Sequence, residues 1–215
     1  MEQSKRKRGI ETTRRIMETA ASHFARRGYD SVPLREIAAQ VGIKESSLYN
    51  HFTSKAQLLD SLFAHFAANS FALYPHGSEL KALLLAAPPA EVFKQILFYT
   101  ATHADALLVD TAMIINLEKF KLQPAADMYF MYVVEKPASY YEQVIQQLIS
   151  LGRFRPVNAR LFAEQYNYTM IALNKEYYMA LNGFGEREAL IGYMVKTIHF
   201  YCDLMKSDPQ EPFEP

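Results

Sequence analysis

Apolar residues recur three and four positions apart along most of the chain, and no segment sustains an alternation of apolar and polar residues. This spacing is typical of amphipathic helices and not of half-buried strands. The first such segment covers residues 10–27, where Ile16, Ala20 and Phe24 form one apolar stripe. Gly28 follows its last turn, and glycine readily takes the left-handed conformation that ends many helices. The pattern predicts an all-α protein.

Two short helices joined by a tight turn are predicted next. The first covers residues 34–41 and stops at Gly42; the second covers about residues 45–51 and turns Leu48 and Phe52 inward. A short helix, a glycine turn and a second short helix make a helix-turn-helix motif. The side chains between the two inward residues then face outward.

The remaining chain is predicted to be helical as well, because proline and glycine separate segments of helical length. Ser54 is a candidate N-cap for the first of these segments. The predicted helices cover residues 54–73, 78–86, 89–104, 107–121, 124–134, 137–151, 158–181 and 186–206. We therefore expect three parts: an N-terminal arm with a three-helix helix-turn-helix domain (1–53), a larger helical ligand-binding and dimerisation domain (54–206), and a flexible C-terminal tail (207–215).

Composition excludes several classes of protein. With 215 residues, 50% of them hydrophobic and 21% charged, the chain has enough apolar surface for a core and is not disordered as a whole. Cys202 is the one cysteine, so an internal disulfide is impossible and a reducing compartment is indicated. No apolar run approaches the roughly 18 residues that cross a bilayer. The expected protein is cytoplasmic and has no membrane partner.

The net charge of zero argues at first against a nucleic-acid-binding protein, which usually needs a basic surface. The charge is unevenly spread, however. Residues 1–60 hold 11 basic and 7 acidic side chains, whereas the other 155 residues hold 12 basic and 16 acidic ones. The helix-turn-helix region is therefore basic and the larger region acidic, which predicts different roles for the two.

Four short motifs keep fixed spacings within residues 16–59. They are Ile37-Ala38, Gly42-Ile43, the run Leu48-Tyr49-Asn50-His51-Phe52, and Ser54-Lys55. Together they resemble the DNA-binding domain of the TetR family of bacterial transcriptional regulators. The resemblance covers about a fifth of the chain. It implies a homodimer that binds a palindromic DNA operator, usually as a repressor, and releases it when a small-molecule effector enters the C-terminal domain.

Outward polar side chains near the second short helix are candidates for DNA contacts. Lysine favours guanine acceptors in the major groove, asparagine can bind adenine with two hydrogen bonds, and serine discriminates weakly. By the resemblance, Tyr49 and Lys55 contact phosphates and His51 does the same; a Tyr49 ring that packs the motif is the alternative. The predicted DNA-binding residues are Arg35, Lys44, Ser46, Ser47, Tyr49, Asn50, His51 and Lys55.

Two positions depart from the family pattern, and one basic run has a second interpretation. Pro33 and Lys44 stand where the family often has a hydroxyl residue at a helix start, so neither helix of the motif has an assured side-chain cap. The basic run from Lys5 to Arg8 resembles the flexible arm that some members lay along the minor groove. A solubilising tail or a cloning remnant is an equally good interpretation of that run.

The last two predicted helices carry long apolar stripes, which suit a four-helix dimer interface or, alternatively, the core of one subunit. The residues assigned to the interface are Phe162, Met170, Leu173, Leu190, Met194, Ile198, Tyr201 and Met205. Aromatic walls with a few polar groups are typical of small-molecule sites. The residues assigned to the effector site are Phe98, Tyr99, Thr102, His103, Met113, Asn116, Phe120, Tyr140, Tyr166 and Asn167. They hold no strong positive cluster, which favours an apolar or aromatic effector over a polyanion.

Catalysis and cofactor chemistry find no support in the sequence. No phosphate-binding loop, nucleophile elbow or HExxH helix is present. His199 and Cys202 stand three apart on one helix, but a structural zinc site needs four ligands. We therefore expect no enzyme, no cofactor and no metal. A helical small-molecule-binding or interaction protein that does not bind DNA is the alternative, and the polar, basic face of residues 44–55 favours the DNA-binding regulator.

Overall fold

The structure, a computed structural model, describes residues 2–181 and 183–206, and for residues 2–6 the backbone alone. The predicted tail, 207–215, lies outside the described residues. Those residues form α1 (Glu2–Arg27), α2 (Leu34–Val41), α3 (Glu45–Leu48), α4 (Lys55–Asn69), α5 (Gly77–Ala86), α6 (Pro89–His103), α7 (Ala106–Glu118), α8 (Gln123–Tyr129), α9 (Lys136–Ser150), α10 (Ala159–Leu181) and α11 (Arg187–Met205). No strand occurs among them, so the predicted all-α class is confirmed.

Two stretches differ from the predicted helices. The helix α1 begins at Glu2 and not near Ile10, so the backbone of the basic run from Lys5 to Arg8 is helical and does not form a separate extended arm. The predicted break between residues 134 and 137 is absent, because the π-helix Phe130–Glu135 joins α8 to α9. Proline fits here because it occupies the first turn of α9, where its missing N–H costs little.

The described chain divides into two compact units. The first contains the residues up to Leu73 together with His103–Phe130; the second contains Tyr74–Thr102 together with the residues from Met131 onward. Within the first unit, α7 packs against α1 and α4, and α8 packs against α7 and α4. The predicted domain boundary after residue 53 stays a prediction.

The first unit is built on a mainly aliphatic core with locally specified turns. Apolar side chains of α1 pack against those of α2 and α7, and Leu48 and Phe52 are buried as predicted. Gly42 ends α2 in the left-handed region, with φ +79°, and the following Ile43 N–H bonds back to the Ala38 carbonyl at 3.0 Å. Ser54 caps α4 by accepting a hydrogen bond from the Gln57 N–H at 3.0 Å. The Gly42 turn and the Ser54 cap fix the helix ends of the helix-turn-helix motif.

The second unit has an aromatic core. Tyr74, Phe93, Tyr140, Tyr141 and Tyr166 form one cluster of ring contacts, with centroids 4.8–6.3 Å apart. Offset and edge-to-face arrangements of this kind are the favoured ones for aromatic rings. Around them, α10 packs against α9 and α11. This unit therefore combines hydrophobic burial with several buried hydroxyl groups.

The π-helix is held by a side chain of α10. Pro137 has no N–H, so the Val133 carbonyl lacks the donor that an α-helix would give it. The Asn167 amide donates hydrogen bonds to the Val133 carbonyl at 3.1 Å and to the Val134 carbonyl at 3.0 Å. Asn167 is itself buried. A distant amide thus supplies the hydrogen bond that Pro137 cannot give to the Val133 carbonyl, and it bonds the Val134 carbonyl as well.

No helix within the described part of the chain is long and apolar enough to cross a membrane.

Candidate functional site

The predicted DNA-binding residues form an exposed face around α3. Lys44, Ser46, Tyr49 and Asn50 are exposed, and Ser47 is half-buried, while Leu48 between them is fully buried. Lys44 occupies the N-cap position of α3, and its side chain makes no capping hydrogen bond. Tyr49 is 47% exposed, which excludes a ring packed wholly inside the motif. This face includes four exposed polar side chains between residues 44 and 50.

Contacts from α1 hold that face in place. Arg15 donates a hydrogen bond to the Val41 carbonyl at 2.6 Å, at the end of α2. Arg27 forms a 2.6 Å ion pair with Glu36 of α2. These two links fix α2, and α3 follows α2 through the Gly42 turn. Arg35 is exposed on α2, as a phosphate-contacting side chain must be.

His51 is engaged by α1. Its Nδ1 lies 2.8 Å from the Thr13 hydroxyl, and that hydroxyl lies 3.0 Å from the Gly9 carbonyl. The Thr13 hydroxyl has one proton, which it donates either to the Gly9 carbonyl or to His51 Nδ1. In both cases Nδ1 is occupied by Thr13, and Nε2 is the ring nitrogen of His51 left to meet a phosphate.

Lys55 is turned toward the end of α1. Its Nζ lies 4.4 Å from the centre of the Tyr29 ring and 3.3 Å from the Asp30 carbonyl, to which it donates a hydrogen bond. Burial lowers the pKa of Lys55, and the nearby carboxylates of Asp30 and Glu118 act in the opposite direction. The residue therefore needs a rotation of its side chain before it can contact a phosphate.

The residues predicted for the effector site are divided between the two compact units. Tyr140 and Tyr166 lie in the aromatic core of the second unit, and the Asn167 amide donates a hydrogen bond to a carbonyl of the π-helix. In the same unit, Phe98 and Thr102 are exposed and Tyr99 is half-buried. The others lie in the first unit: His103 and Phe120 are exposed, and Met113 and Asn116 are half-buried.

Two grooves lie within single units. One, of about 600 Å³, is in the second unit beside Phe154 and Cys202; the other, of about 410 Å³, is in the first unit beside His23 and Gln40. Among the described residues, none of those predicted for the effector site lines either groove. The effector assignment therefore stays a prediction.

Most residues assigned to a dimer interface lie in the core of the second unit. Met170, Leu173, Met194, Ile198 and Met205 are buried there, and Phe162, Leu190 and Tyr201 are half-buried. The stripe predicted on each helix thus serves the core, which was the alternative interpretation. A separate set of large apolar side chains on the same helices is exposed: Leu161, Tyr168, Met179, Tyr193, Phe200 and Leu204.

Nothing in the described part of the chain suggests a metal centre, because no three histidine, cysteine, aspartate or glutamate side chains converge there. Cys202 is buried, and burial raises the pKa of its thiol to about 12, which keeps it protonated and unreactive. His199, three residues earlier, is exposed.

The family model for bacterial regulatory proteins of the tetR family matches residues 16–62 of this chain. Over 59 residues, 27% of this chain, the sequence is 42% identical to the HTH-type transcriptional repressor KstR2 of Mycobacterium tuberculosis. That match spans 30% of the length of KstR2. These relatives are transcriptional regulators and not enzymes, in agreement with the lack of catalytic motifs.

Solved structures resemble the chain over nearly its full length. A protein from Mesorhizobium loti assigned to the TetR-family regulators aligns with a TM-score of 0.68 at 17% identity, over 93% of this chain and 99% of that one. AibR, solved with isovaleryl coenzyme A and operator DNA, aligns with a TM-score of 0.60 at 21% identity, over 86% and 96%. At such identities the likeness establishes the fold. Residues 16–62 of this chain therefore match the helix-turn-helix domain of the tetR family of bacterial regulatory proteins, and the chain shares the all-helical fold of these solved structures.

Proposed function

We propose that the protein is a ligand-responsive DNA-binding transcriptional regulator, a repressor that binds a palindromic operator as a homodimer in the cytoplasm. The observation that carries the proposal is the exposed polar face of Lys44, Ser46, Tyr49 and Asn50 over a buried Leu48. Such a face matches the base edges and phosphates of one major groove. Arg35, Ser47 and His51 border it and supply further phosphate or base contacts. Lys55 borders it as well and contacts a phosphate only after its side chain leaves the Tyr29 ring.

The homodimer is supported by exposed apolar side chains on α10 and α11. Tyr193, Phe200 and Leu204 follow one side of α11, and Tyr168 and Met179 are exposed on α10. A contiguous apolar patch on a helix pair marks an interaction surface. Two copies of this helix pair would form a four-helix interface, in which each DNA-binding unit meets one half of a palindrome.

Glutamate substitutions on α11 test the dimer. Phe200→Glu buries a charge in the proposed interface and is expected to convert a particle of twice 24.6 kDa into a monomer in sedimentation. Phe120→Glu is the matched control, because Phe120 is 88% exposed and lies outside α10 and α11. A dimer that persists with Phe200→Glu, or one that is lost equally with Phe120→Glu, would contradict this assignment.

A small, largely apolar or aromatic effector suits the second unit. Its buried tyrosines are neutral hydroxyl donors, since burial raises the pKa of Tyr74 to about 12 and also raises the pKa values of Tyr140 and Tyr166. The Tyr166 hydroxyl makes no well-formed hydrogen bond with any described residue, so an effector oxygen could accept one from it. An effector enters this region by separating ring contacts. AibR, solved with isovaleryl coenzyme A and operator DNA, holds a small molecule and DNA on this fold, although that small molecule is a polyanion.

Selection from a random-sequence duplex library tests the DNA-binding function without knowledge of the operator. We expect enrichment of a palindromic sequence and a complex that weakens steeply as salt increases, because bound lysines and arginines release counterions. A protein that enriches no sequence at any salt concentration is instead a helical small-molecule-binding or interaction protein. Addition of neutral aromatic compounds to the selected complex then tests the effector class by release of the DNA.

A further inference from the structure

The end of α1 is capped by a side chain of α7. Gly28 leaves the helix in the left-handed region, with φ +81°, and its N–H still bonds to the Phe24 carbonyl at 2.9 Å. The next N–H, that of Tyr29, donates to Glu118 Oε1 at 2.9 Å. A carboxylate 89 residues away in sequence thus fixes the turn between α1 and α2.

The Glu118 carboxylate is poorly compensated. It is 2% exposed and faces the C-terminal end of α1, where the helix dipole disfavours negative charge. Its Oε2 accepts no hydrogen bond from any residue that the structure describes, and the Lys121 Nζ lies 4.0 Å away with its side chain largely in solvent. A buried charge needs a partner, and an under-compensated one in a native structure calls for an explanation.

Lys55 supplies positive charge to the same turn. Its Nζ lies above the rings of Tyr29 at 4.4 Å and Phe24 at 5.6 Å, and it donates to the Asp30 carbonyl at 3.3 Å. Glu118 and Asp30 both attract it. All of these groups belong to the first unit. The turn fixed by Glu118 is therefore the surface on which the Lys55 ammonium rests.

We propose that Glu118 is a positioning residue that sets DNA affinity by holding Lys55 on the Tyr29 turn and away from the phosphate backbone. The proposal rests on the DNA-binding function proposed above. Lys55 can rest on the turn or extend to a phosphate, and the buried carboxylate favours the first position. The protein consequently binds DNA of any sequence more weakly than its basic side chains allow, which increases its dependence on base contacts.

Glu118→Gln tests this inference with little change of shape. The glutamine keeps an acceptor oxygen for the Tyr29 N–H and removes the charge that attracts Lys55. Asp127→Asn is the matched control, because Asp127 is an exposed carboxylate of the same unit and its loss changes the net charge equally. We measure dissociation constants for a random-sequence duplex and for the library-selected duplex over a range of salt concentrations.

Relative to Asp127→Asn, Glu118→Gln is expected to bind both duplexes about threefold more tightly, the scale of one partly exposed ion pair. The slope of log affinity against log salt should steepen toward one further phosphate contact, a change of up to about 0.9. In a Lys55→Ala background, Glu118→Gln should bind no more tightly than Asp127→Asn. This dependence on Lys55 separates positioning from a merely structural role.

The inference is overturned if Glu118→Gln matches Asp127→Asn, binds more weakly, or keeps its advantage without Lys55. Circular dichroism first checks that the variant is folded. If it is not, Lys55→Ala in the otherwise wild-type chain gives the second test. A lysine held on the turn makes no phosphate contact, so this variant should weaken binding of the random-sequence duplex by less than about twofold and leave the salt slope unchanged, and a larger loss overturns the inference. A wild-type protein that binds neither duplex overturns the proposed function itself.

Discussion

The two compact units differ in how they satisfy their buried polar groups. In the first unit the helix ends of the motif are served by nearby residues: Gly42 ends α2, and Ser54 caps α4. In the second unit the partners are far apart in sequence. Asn167 bonds carbonyls 33 and 34 residues away, and the Tyr140 hydroxyl bonds the Pro75 carbonyl 65 residues away at 2.8 Å.

This difference in hydrogen bonding corresponds to a difference in the surface that each unit exposes. The first unit holds a short polar face in a fixed position by local caps and turns, with additional links from Arg15 and Glu118. The second unit buries phenols and an amide in an aromatic core and exposes apolar side chains on α10 and α11. Its buried, hydrogen-bonded hydroxyl and amide groups therefore depend on partners far along the chain, and single substitutions of these groups should reduce its stability.

The largest expected effect lies in the second unit, at Asn167. Asn167→Ala leaves the Val133 and Val134 carbonyls without their donor and should lower the free energy of unfolding by about 2–3 kcal/mol in chemical denaturation. Asn174→Ala, at an exposed position of the same helix, should change it by less than about 0.5 kcal/mol.

Pro137→Ala sharpens that test. Alanine restores an N–H that can serve the Val133 carbonyl, so Asn167→Ala should cost less in the Pro137→Ala background than in the wild type. Equal losses in the two backgrounds would show that Asn167 does not compensate for the proline.

In the first unit, the effect of a glycine depends on its backbone conformation. Gly42→Ala forces a side chain into the left-handed region and should destabilise the protein by about 1–2 kcal/mol, although no atom lies within 4 Å of the new Cβ. Gly9→Ala, also free of close neighbours but within α1, should stabilise it by about 0.5–1 kcal/mol. Thermal unfolding measures both, and changes of the same sign would contradict the conformational explanation.

Two buried tyrosines give a smaller contrast within the second unit. Tyr140→Phe removes a hydroxyl that donates to the Pro75 carbonyl and should cost about 1 kcal/mol. Tyr166→Phe removes a hydroxyl without a well-formed partner and should leave the stability unchanged or slightly higher. Denaturation of both variants under the same conditions checks the order, which the reverse ranking would refute.

The smallest expected effect is a pH dependence in the first unit. The hydrogen bond from Arg27 lowers the pKa of the Glu36 carboxyl below its ordinary value of 4.5. The ionised pair therefore stabilises the folded state above that pH and loses its contribution as the pH falls and the carboxyl is protonated. The stability difference between wild type and Glu36→Gln should shrink between pH 6 and pH 3. A difference that grows on acidification would contradict the pairing.

Local signals made much of the fold predictable. The helical spacing of apolar residues, with proline and glycine between segments, located α4–α7 and α9–α11 to within a few residues. The burial of Leu48 and Phe52 followed from the same spacing. The continuous helix from α8 to α9 was missed because Pro137 indicates a break, and the Asn167 amide that compensates for it lies 30 residues further along the chain.

Part of the candidate DNA-binding site was predictable because the same local spacing decides which side chains of a short helix are exposed. The exposure of Lys44, Ser46 and Asn50 follows from their positions on a short amphipathic helix. The inward position of Lys55 and the contact between Glu118 and Tyr29 depend on the packing of α7 against α1, which no local pattern encodes. On the last two helices, spacing revealed apolar stripes but could not say which stripe faces solvent.

Asn50→Ala tests whether the exposed face around α3 binds DNA by sequence. We expect a loss of about 1–3 kcal/mol in binding free energy for the library-selected duplex, with relaxed preference at one base position. Affinity for random-sequence duplex should remain unchanged under the same salt conditions, because phosphate contacts are retained. An equal loss of affinity for the selected and the random duplex would contradict base recognition by this face.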